Sequence, residues 1–280
     1  MTQSALTVPA NSALCLPHER LSGSIRSAAT ARGIALVPFI TAGFPSKRDF
    51  ESVLTAIDPH AGAIEIGLPF SDPVADGATI QHSSRIALEG GATARWALEE
   101  LAVIAPRLRA PLVIMSYLNP LMALGDALLP LCAAARVCAL IVPDLPLDES
   151  GPLADAASAQ GIGLIHLATP ITPPERLAQL GAKTAGFFYA VTMTGVTGGS
   201  GPVPAGITDR RTQDRDDYLA RCRRASRVPV CAGFGIRTRQ HVAALVGHAE
   251  GAIVGSALVE ELGRGGDPGR LLAGLQARAE

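Results

Sequence analysis

The sequence predicts an α/β protein in which eight parallel strands, each followed by a helix, close into a single barrel. Short apolar runs rich in Val, Ile, Leu and Phe recur along the chain, and they are continuous rather than alternating, as in parallel strands that helices cover. Eight strand–helix units in 280 residues leave about 35 residues for each, the usual size in a (β/α)8 barrel. An open doubly wound sheet is the alternative, but no G-x-G-x-x-G follows the first strand.

The predicted strands are eight apolar runs, at 35–41, 63–67, 112–117, 138–143, 163–168, 185–191, 228–232 and 251–254. The segments from the second strand to the third and from the sixth to the seventh are longer than the others. Because barrel active sites are built on loops that follow strands, we expect the extended loops after strands 2 and 6 to form the site.

Capping residues and helical spacing predict the intervening helices. Ser46-x-x-Asp49 resembles a capping box, and apolar residues at helical spacing follow it over 50–57. A second helix is predicted over 92–109.

Two further helices are predicted from their ends. Pro173-Pro174-Glu175 opens a short helix that Gly181 is expected to terminate. Thr238 is expected to cap a helix whose buried residues are Val242, Leu245 and Val246.

Composition and charge narrow the possible functions. Hydrophobic residues make up 48% and charged residues 18%, so a packed core is expected, and the whole chain, 1–280, is interpreted as one domain with a frayed lead-in at 1–20. A net charge of −1 argues against nucleic acid or an anionic membrane as the main partner. The arginines between 210 and 227 alternate with aspartates, which indicates a solvated helix face.

The cysteines and histidines indicate neither disulfides nor a metal site. Five cysteines are odd in number, show no C-x-x-C spacing and mostly lie in apolar runs, so buried thiols in a reducing compartment are expected. Six scattered histidines lack metal-ligand spacing, and no metal is predicted. The amino-terminal segment has no export signal or membrane span, so a cytoplasmic location is expected.

The segment at 64–77 carries the strongest chemical signal. Glu65 lies in an apolar strand, and Asp72 and Asp76 lie in the loop that follows. Two carboxylates in different environments can have different pKa values and so divide acid and base roles. A strand carboxylate can instead point to solvent or pair with arginine, and Asp-Pro and Asp-Gly are ordinary turn sequences.

Small residues after the last two strands predict a phosphate site. Gly235 follows the seventh strand, and Gly255 and Ser256 follow the eighth; in barrels these loops bind phosphate through backbone N–H groups. Gly198, after strand 6, is expected to complete this site.

Aromatic residues at strand ends predict either core packing or a flat apolar ligand. Aromatic residues make up only 4% of the chain, yet Phe39, Tyr189 and Phe234 lie within or at the ends of strands.

Eight motifs in order resemble the alpha chain of tryptophan synthase over about residues 33–262. The most specific is Glu65-Ile-Gly-Leu-Pro-Phe-Ser-Asp-Pro-Val-Ala-Asp-Gly77. The others are Pro38-Phe-Ile-Thr-Ala-Gly43 with Ile80-Gln81, Tyr117-Leu-Asn-Pro120, Val142-Pro-Asp-Leu-Pro146, Gly195-Val-Thr-Gly198, Gly233-Phe-Gly-Ile236 and Gly255-Ser256.

The resemblance implies a TIM barrel that cleaves indole-3-glycerol phosphate to indole and D-glyceraldehyde 3-phosphate in tryptophan biosynthesis, by a retro-aldol reaction without a cofactor in this chain. Glu65 would be the acid–base residue, and Asp76 would hold the indole N–H. Thr197 would belong to the lid that closes over the site. The chain also departs from the family pattern, because it inserts residues 199–212 after Gly198.

The resemblance also implies the remaining site and partner residues. The indole slot would be lined by Phe39, Tyr117, Tyr189 and Phe234, and the phosphate bound by Gly198, Gly235, Gly255 and Ser256. The expected partner is a pyridoxal-phosphate-containing beta chain in an alpha2-beta2 heterotetramer, contacted by Pro69, Asp72 and Asn119.

Three alternatives stay open at the level of sequence. The chain can be a stand-alone lyase that releases free indole, or a non-catalytic regulatory paralogue, although intact Glu65 and Asp76 argue against the latter. It can also be another phosphate-binding barrel that acts on a different phosphosugar.

Overall fold

The computed structural model describes residues 15–192, 208–233 and 235–276, with only the backbone described at 208–212. Within these residues, nine strands form one parallel sheet. The strands are β1 (Ala35–Thr41), β2 (Ile64–Gly67), β3 (Leu112–Met115), β4 (Val137–Ile141), β5 (Gly163–Ile165), β6 (Leu167–Ala168), β7 (Phe188–Val191), β8 (Val230–Gly233) and β9 (Gly251–Val254).

The sheet closes into a barrel through an interrupted strand. Its order is β5-β4-β3-β2-β1-β9-β8-β7-β6, which places β5 and β6 at the two edges. Only His166 separates these two strands along the chain, and its backbone N–H donates to the Thr184 hydroxyl at 3.0 Å. The predicted fifth strand at 163–168 is therefore one strand broken at His166, and the predicted (β/α)8 barrel is confirmed.

Helices pack around the outside of the barrel. They are α1 (Pro17–Arg32), α2 (Phe50–Ile57), α3 (Ala78–Glu89), α4 (Ala94–Ile104), α5 (Leu118–Leu124), α6 (Leu128–Ala134), α7 (Gly151–Ser158), α8 (Pro174–Lys183), α9 (Thr208–Ala225), α10 (Arg239–Ala243), α11 (Ser256–Gly263) and α12 (Pro268–Leu275). None of the described helices is both long enough and apolar enough to cross a membrane.

Helix α1 closes the amino-terminal end of the barrel. Leu21 and Ile25 are fully buried and belong to the apolar cluster that fills the barrel interior. The expectation of a frayed lead-in through residue 20 is wrong for 17–20, because Pro17 occupies the first helical position and the helix continues from there. The helix was not predicted because few large apolar residues stand among its Ser, Ala and Arg residues.

The predicted amino-terminal cap at Ser46 is confirmed. The Ser46 hydroxyl accepts a hydrogen bond from the Asp49 N–H at 3.3 Å, and the apolar residues predicted for this helix are buried in α2. Thr93 caps α4 by accepting from the Trp96 N–H at 3.1 Å. The helix predicted over 92–109 is shorter, because after Ile104 the chain forms a 3-10 turn at Ala105–Arg107.

Two predicted helix features are wrong. Gly181 does not end α8, which continues to Lys183; it is buried where α8 crosses the end of α9, and a Cβ there would overlap the Ala225 carbonyl. Thr238 does cap α10, but that helix ends at Ala243. Val246 therefore points outward and is 39% exposed, although it was predicted to be buried.

The cysteines behave as the sequence predicted. All five are free, and four are buried, whereas Cys15 is exposed. Among the described residues, no group of three or more His, Cys, Asp or Glu side chains could hold a metal ion.

We expect Gly181→Ala to lower the free energy of unfolding by about 1–3 kcal/mol, because the new methyl group forces α8 away from the Ala225 backbone. Gly274→Ala is the matched control, since Gly274 lies in α12 with no atom near its Cβ position. That change should be neutral or stabilise the chain by up to about 1 kcal/mol. Urea unfolding followed by circular dichroism measures both, and equal effects would contradict the close approach of the two helices.

Candidate active site

One pocket opens at the carboxyl end of the barrel strands. Its interior space is about 70 Å³, and it is open to solvent at its mouth. The described residues that line it are Phe39, Glu65, Asp76, Gly77, Ile80, Met115, Tyr189, Gly235, Ile236, Arg237, Ile253, Gly255 and Ser256.

Glu65 lies on the inner face of β2. Phe39 of β1 and Val113 of β3 are its neighbours in register, while Ile64 and Ile66 alternate with it and pack against the outer helices. The side chain is only 1% exposed, and neither carboxylate oxygen has a hydrogen-bond partner among the described residues. Burial, together with the charge of Asp76, raises the pKa of Glu65 to about 8.

Asp76 is half-buried in the loop that leads from β2 to α3. Its own N–H donates to the Pro73 carbonyl at 3.1 Å, and the Ala75 N–H donates to the Tyr117 hydroxyl at 2.9 Å. Burial raises the pKa of Asp76 to about 6, and a hydrogen bond with the Tyr117 hydroxyl opposes that rise. The two carboxyl groups therefore have well-separated pKa values in one pocket.

Tyr117 differs from its predicted place. The resemblance put it in the indole slot, but it is not among the residues that line the pocket. It is 5% exposed and lies under the loop that carries Asp76, which its hydroxyl contacts. Its position suits holding Asp76 rather than contacting a ligand.

Two aromatic rings form walls, and glycines make room for them. A Cβ on Gly67 would lie 2.6 Å from the Phe39 ring, and a Cβ on Gly233 would lie 2.5 Å from the Tyr189 hydroxyl oxygen. Side chains at these positions would displace the rings from the pocket. Burial, and then the charge of Glu65, raise the pKa of Tyr189 well above its ordinary value, and both side chains line the pocket.

Small residues and one cation form a further part of the pocket wall. Gly235 has φ of +77°, a conformation that favours glycine, and Gly255 precedes α11, which begins at Ser256. The first N–H groups of a helix lack partners within the helix and can bind an anion. Arg237, from the loop after β8, completes this wall and pairs with Glu260 of α11.

The structure thus brings together most of the predicted site residues, while a few lie elsewhere. Phe39, Glu65, Asp76, Tyr189, Gly235, Gly255 and Ser256 line the same pocket. Thr197, Gly198 and Phe234 lie outside the described residues. The extended loop after strand 2 forms part of the pocket through Asp76 and Gly77, and the insertion at 199–212 ends inside α9, which begins at Thr208.

The predicted partner residues divide into exposed and buried positions. Asp72 and Asn119 are exposed on segments that follow β2 and β3. Pro69 is buried, so it offers little surface to a partner. Two exposed apolar residues were missed on the same segments: Val74, which is 78% exposed, and Met122, which is 67% exposed.

Sequence reasoning also missed part of the pocket lining. Met115 lies two residues after Val113 on β3, and Ile253 lies on the inner face of β9, so counting alternate strand positions would have found both. Gly77 and Ile80 belong to the recognised motifs but were not assigned to the site. Arg237 gave no signal, because an arginine in a turn is an ordinary surface residue.

The fold and the site together define a TIM-barrel protein with an acid–base pocket built from two carboxyl groups of unequal pKa. The family model "Tryptophan synthase alpha chain" matches residues 26–276, and this chain belongs to that family. The resemblance found in the sequence is confirmed. Members of the family are lyases that cleave indole-3-glycerol phosphate.

Individual relatives agree with this assignment. The tryptophan synthase alpha chain of Nitratidesulfovibrio vulgaris is 42% identical over 251 residues, covering 89% of this chain and 94% of the relative. The structure of the tryptophan synthase a2b2 complex from Pyrococcus furiosus matches with a TM-score of 0.77 at 36% identity, covering 88% of this chain and 98% of that one. Mycobacterium tuberculosis tryptophan synthase matches with a TM-score of 0.80 at 33% identity, covering 92% and 98%.

We expect Glu65→Gln to change how stability depends on pH. The pKa of Glu65 is raised from 4.5 to about 8 on folding, so between these values the folded chain keeps a proton that the unfolded chain loses. Stability of the unaltered chain therefore falls as pH rises from about 4.5 to 8, by up to several kcal/mol, and the glutamine variant lacks this fall.

Urea unfolding at pH 5 and at pH 8 measures the effect. Glu149→Gln, which removes an exposed carboxylate, is the matched control. Its free energy of unfolding should change between pH 5 and pH 8 as that of the unaltered chain does. If the free energy of unfolding changes equally with pH in the unaltered chain and in Glu65→Gln, Glu65 is not protonated in the folded protein.

Proposed function

We propose that this chain cleaves indole-3-glycerol phosphate to indole and D-glyceraldehyde 3-phosphate as the alpha subunit of tryptophan synthase. The observation that carries the proposal is the pair of carboxyl groups in one pocket, with pKa values of about 8 for Glu65 and about 6 for Asp76. Between these pH values Glu65 is a neutral acid and Asp76 is an anion. Separated pKa values of this kind assign the acid and base roles.

Glu65 supplies the proton that starts the reaction. The scissile bond joins C3 of the indole ring to the glycerol chain, and a ring carbon leaves only after C3 is protonated. A buried carboxylic acid without a hydrogen-bond partner is free to transfer its proton to C3. Positive charge then develops at the ring nitrogen, where the Asp76 carboxylate accepts the N–H and stabilises it.

The same carboxyl group completes the cleavage. After protonation of C3, the Glu65 carboxylate removes the proton of the hydroxyl on the carbon bonded to C3. The C–C bond breaks, its electron pair restores the aromatic ring with the new hydrogen on C3, and the hydroxyl carbon becomes the aldehyde. Glu65 regains its proton, so one residue serves as acid and then as base without net change.

The walls of the pocket suit the two ends of this substrate. Phe39 and Tyr189 offer ring faces to a flat apolar group, next to both carboxyl groups. Gly235, Gly255 and Ser256 line the same pocket, where their backbone N–H groups would bind the phosphate. Three roles remain predictions from the resemblance. Thr197 would lie in the lid, Gly198 would bind the phosphate and Phe234 would line the indole slot.

We further propose that a tryptophan synthase beta chain docks on the carboxyl-end face. Exposed Val74 and Met122 beside Asp72 and Asn119, with Ile171, which is 79% exposed, after β6, give this face an apolar character that suits a partner. Pyridoxal phosphate would belong to that partner alone, and the complex would be cytoplasmic.

The test is indole release from indole-3-glycerol phosphate by the purified chain, alone and with a pyridoxal-phosphate-loaded beta chain. We expect slow cleavage alone and faster cleavage with the partner. Glu65→Gln should reduce cleavage by at least ~100-fold in both conditions, because it removes the transferable proton. Glu149→Gln is the control and should match the unaltered chain.

Other results select other functions. Fast cleavage that the partner does not change would indicate a stand-alone lyase. A partner effect that survives Glu65→Gln without any cleavage would indicate a regulatory paralogue. Failure to cleave in every condition would contradict the proposal.

The pH dependence of kcat/KM should be bell-shaped, with limbs near pH 6 and 8, because activity needs charged Asp76 and protonated Glu65. Asp76→Asn should lower the rate and remove the acidic limb. If that limb persists in Asp76→Asn, ionisation of the substrate phosphate causes it instead. A flat profile from pH 5 to 9 would contradict the assigned protonation states.

A further inference from the structure

Arg237 lines the pocket that also contains the two carboxyl groups. It follows Gly235 by two residues and lines the same wall as Gly255 and Ser256. Among the described residues that line the pocket, it is the one with a positive charge. The pocket therefore contains two carboxyl groups and a guanidinium, and the guanidinium is paired with Glu260.

The guanidinium is fixed by a two-point ion pair. Its Nη1 donates to Oε2 of Glu260 at 2.7 Å, and its Nη2 donates to Oε1 at 2.5 Å. The Thr79 hydroxyl of α3 donates to the same Oε1 at 3.2 Å. This ion pair holds the pKa of Glu260 below its ordinary value, so the carboxylate stays charged and the arginine stays oriented.

The ion pair leaves part of the arginine available. A guanidinium carries five N–H groups in a rigid plane, and the two-point contact with Glu260 uses two of them. The side chain is 46% exposed, so its remaining N–H groups are open to a ligand at the pocket mouth.

The charge of a phosphate exceeds the charge that one helix terminus offers, so a further donor would strengthen its binding. A phosphate monoester carries a charge of about −1.5 to −2 at neutral pH. The amino-terminal end of a helix supplies the equivalent of only about +0.5, and α11 has eight residues. The same pocket also holds Asp76, whose charge repels an anion.

We propose that Arg237 is a specificity-determining residue that donates hydrogen bonds to the phosphate group of the substrate, while Glu260 holds it in position. This inference rests on the proposed function, because that function supplies the phosphorylated ligand. The competing explanation is that Arg237 only ties the loop after β8 to α11.

Kinetic measurements distinguish a phosphate contact by Arg237 from a purely structural link between the loop after β8 and α11. Arg237→Gln should raise KM for indole-3-glycerol phosphate by ~10- to 100-fold, the value of a hydrogen bond between charged groups, with little change in kcat. Arg237→Lys keeps the charge but loses the planar guanidinium, so its KM should lie between those of the unaltered chain and Arg237→Gln. Arg264→Gln is the matched control: Arg264 pairs with Glu261 of α11, at 3.3 Å, and does not line the pocket.

Binding of the two halves of the substrate gives the decisive test. Calorimetry measures glycerol 3-phosphate, which carries the phosphate, and indole, which does not. Arg237→Gln should weaken glycerol 3-phosphate ~10-fold or more and leave indole affinity unchanged. Unchanged affinity for both ligands would overturn the inference, and so would an equal loss for both, because that result indicates general damage to the pocket.

The same measurement separates this inference from the proposed function. If the unaltered chain binds glycerol 3-phosphate through Arg237 but never cleaves indole-3-glycerol phosphate, the proposed function fails while the phosphate contact stands. If it cleaves the substrate and Arg237→Gln has the KM of Arg264→Gln, the contact fails while the function stands.

Discussion

A carboxyl group buried inside the barrel without a hydrogen-bond partner is the constraint on which the rest of the structure depends. Glu65 occupies an inward position of β2 that packing alone would give to an apolar residue, and both its oxygens lack partners in the described structure. Removing a charged carboxylate from water in this way is costly. The group therefore takes up a proton instead, and that proton is the reagent of the proposed chemistry.

The surroundings of Glu65 keep its carboxyl group buried and protonated. Phe39 and Tyr189 cover the carboxyl group with ring carbon, and each ring fits only because Gly67 and Gly233 lack a Cβ. Asp76 adds a nearby negative charge that further favours the neutral form of Glu65. These contacts follow from the parallel register, which places Phe39, Glu65 and Val113 at the same level on adjacent strands.

Much of this arrangement was predictable from sequence because it follows from periodicity along strands. Glu65 alternates with Ile64 and Ile66, so a functional inward side chain could be inferred without coordinates, and glycines at strand ends indicated where a ligand approaches the backbone. The break at His166 was not predictable, because the hydroxyl that pairs with its N–H belongs to Thr184, which lies beyond a helix.

Tyr117 and Arg237 show a second limit of sequence reasoning. Tyr117 ends a strand segment, as a ligand-binding aromatic residue would, yet its hydroxyl hydrogen-bonds a loop that follows a different strand. Arg237 is oriented by Glu260, which lies in α11, later in the chain. The spacing of residues along strands does not reveal a side chain whose role depends on a partner distant in sequence.

The proposed phosphate contact would favour one orientation of a ligand in the pocket. An anionic group is repelled by Asp76 and attracted by Arg237 and the start of α11, whereas a flat apolar group packs only beside Phe39 and Tyr189. A ligand with a ring at one end and a phosphate at the other can therefore bind in one direction. That direction places the ring against both carboxyl groups, where a proton is held on Glu65 and a charge on Asp76 at neutral pH. On the proposed function, the contacts that select the substrate would therefore also align its reactive bond.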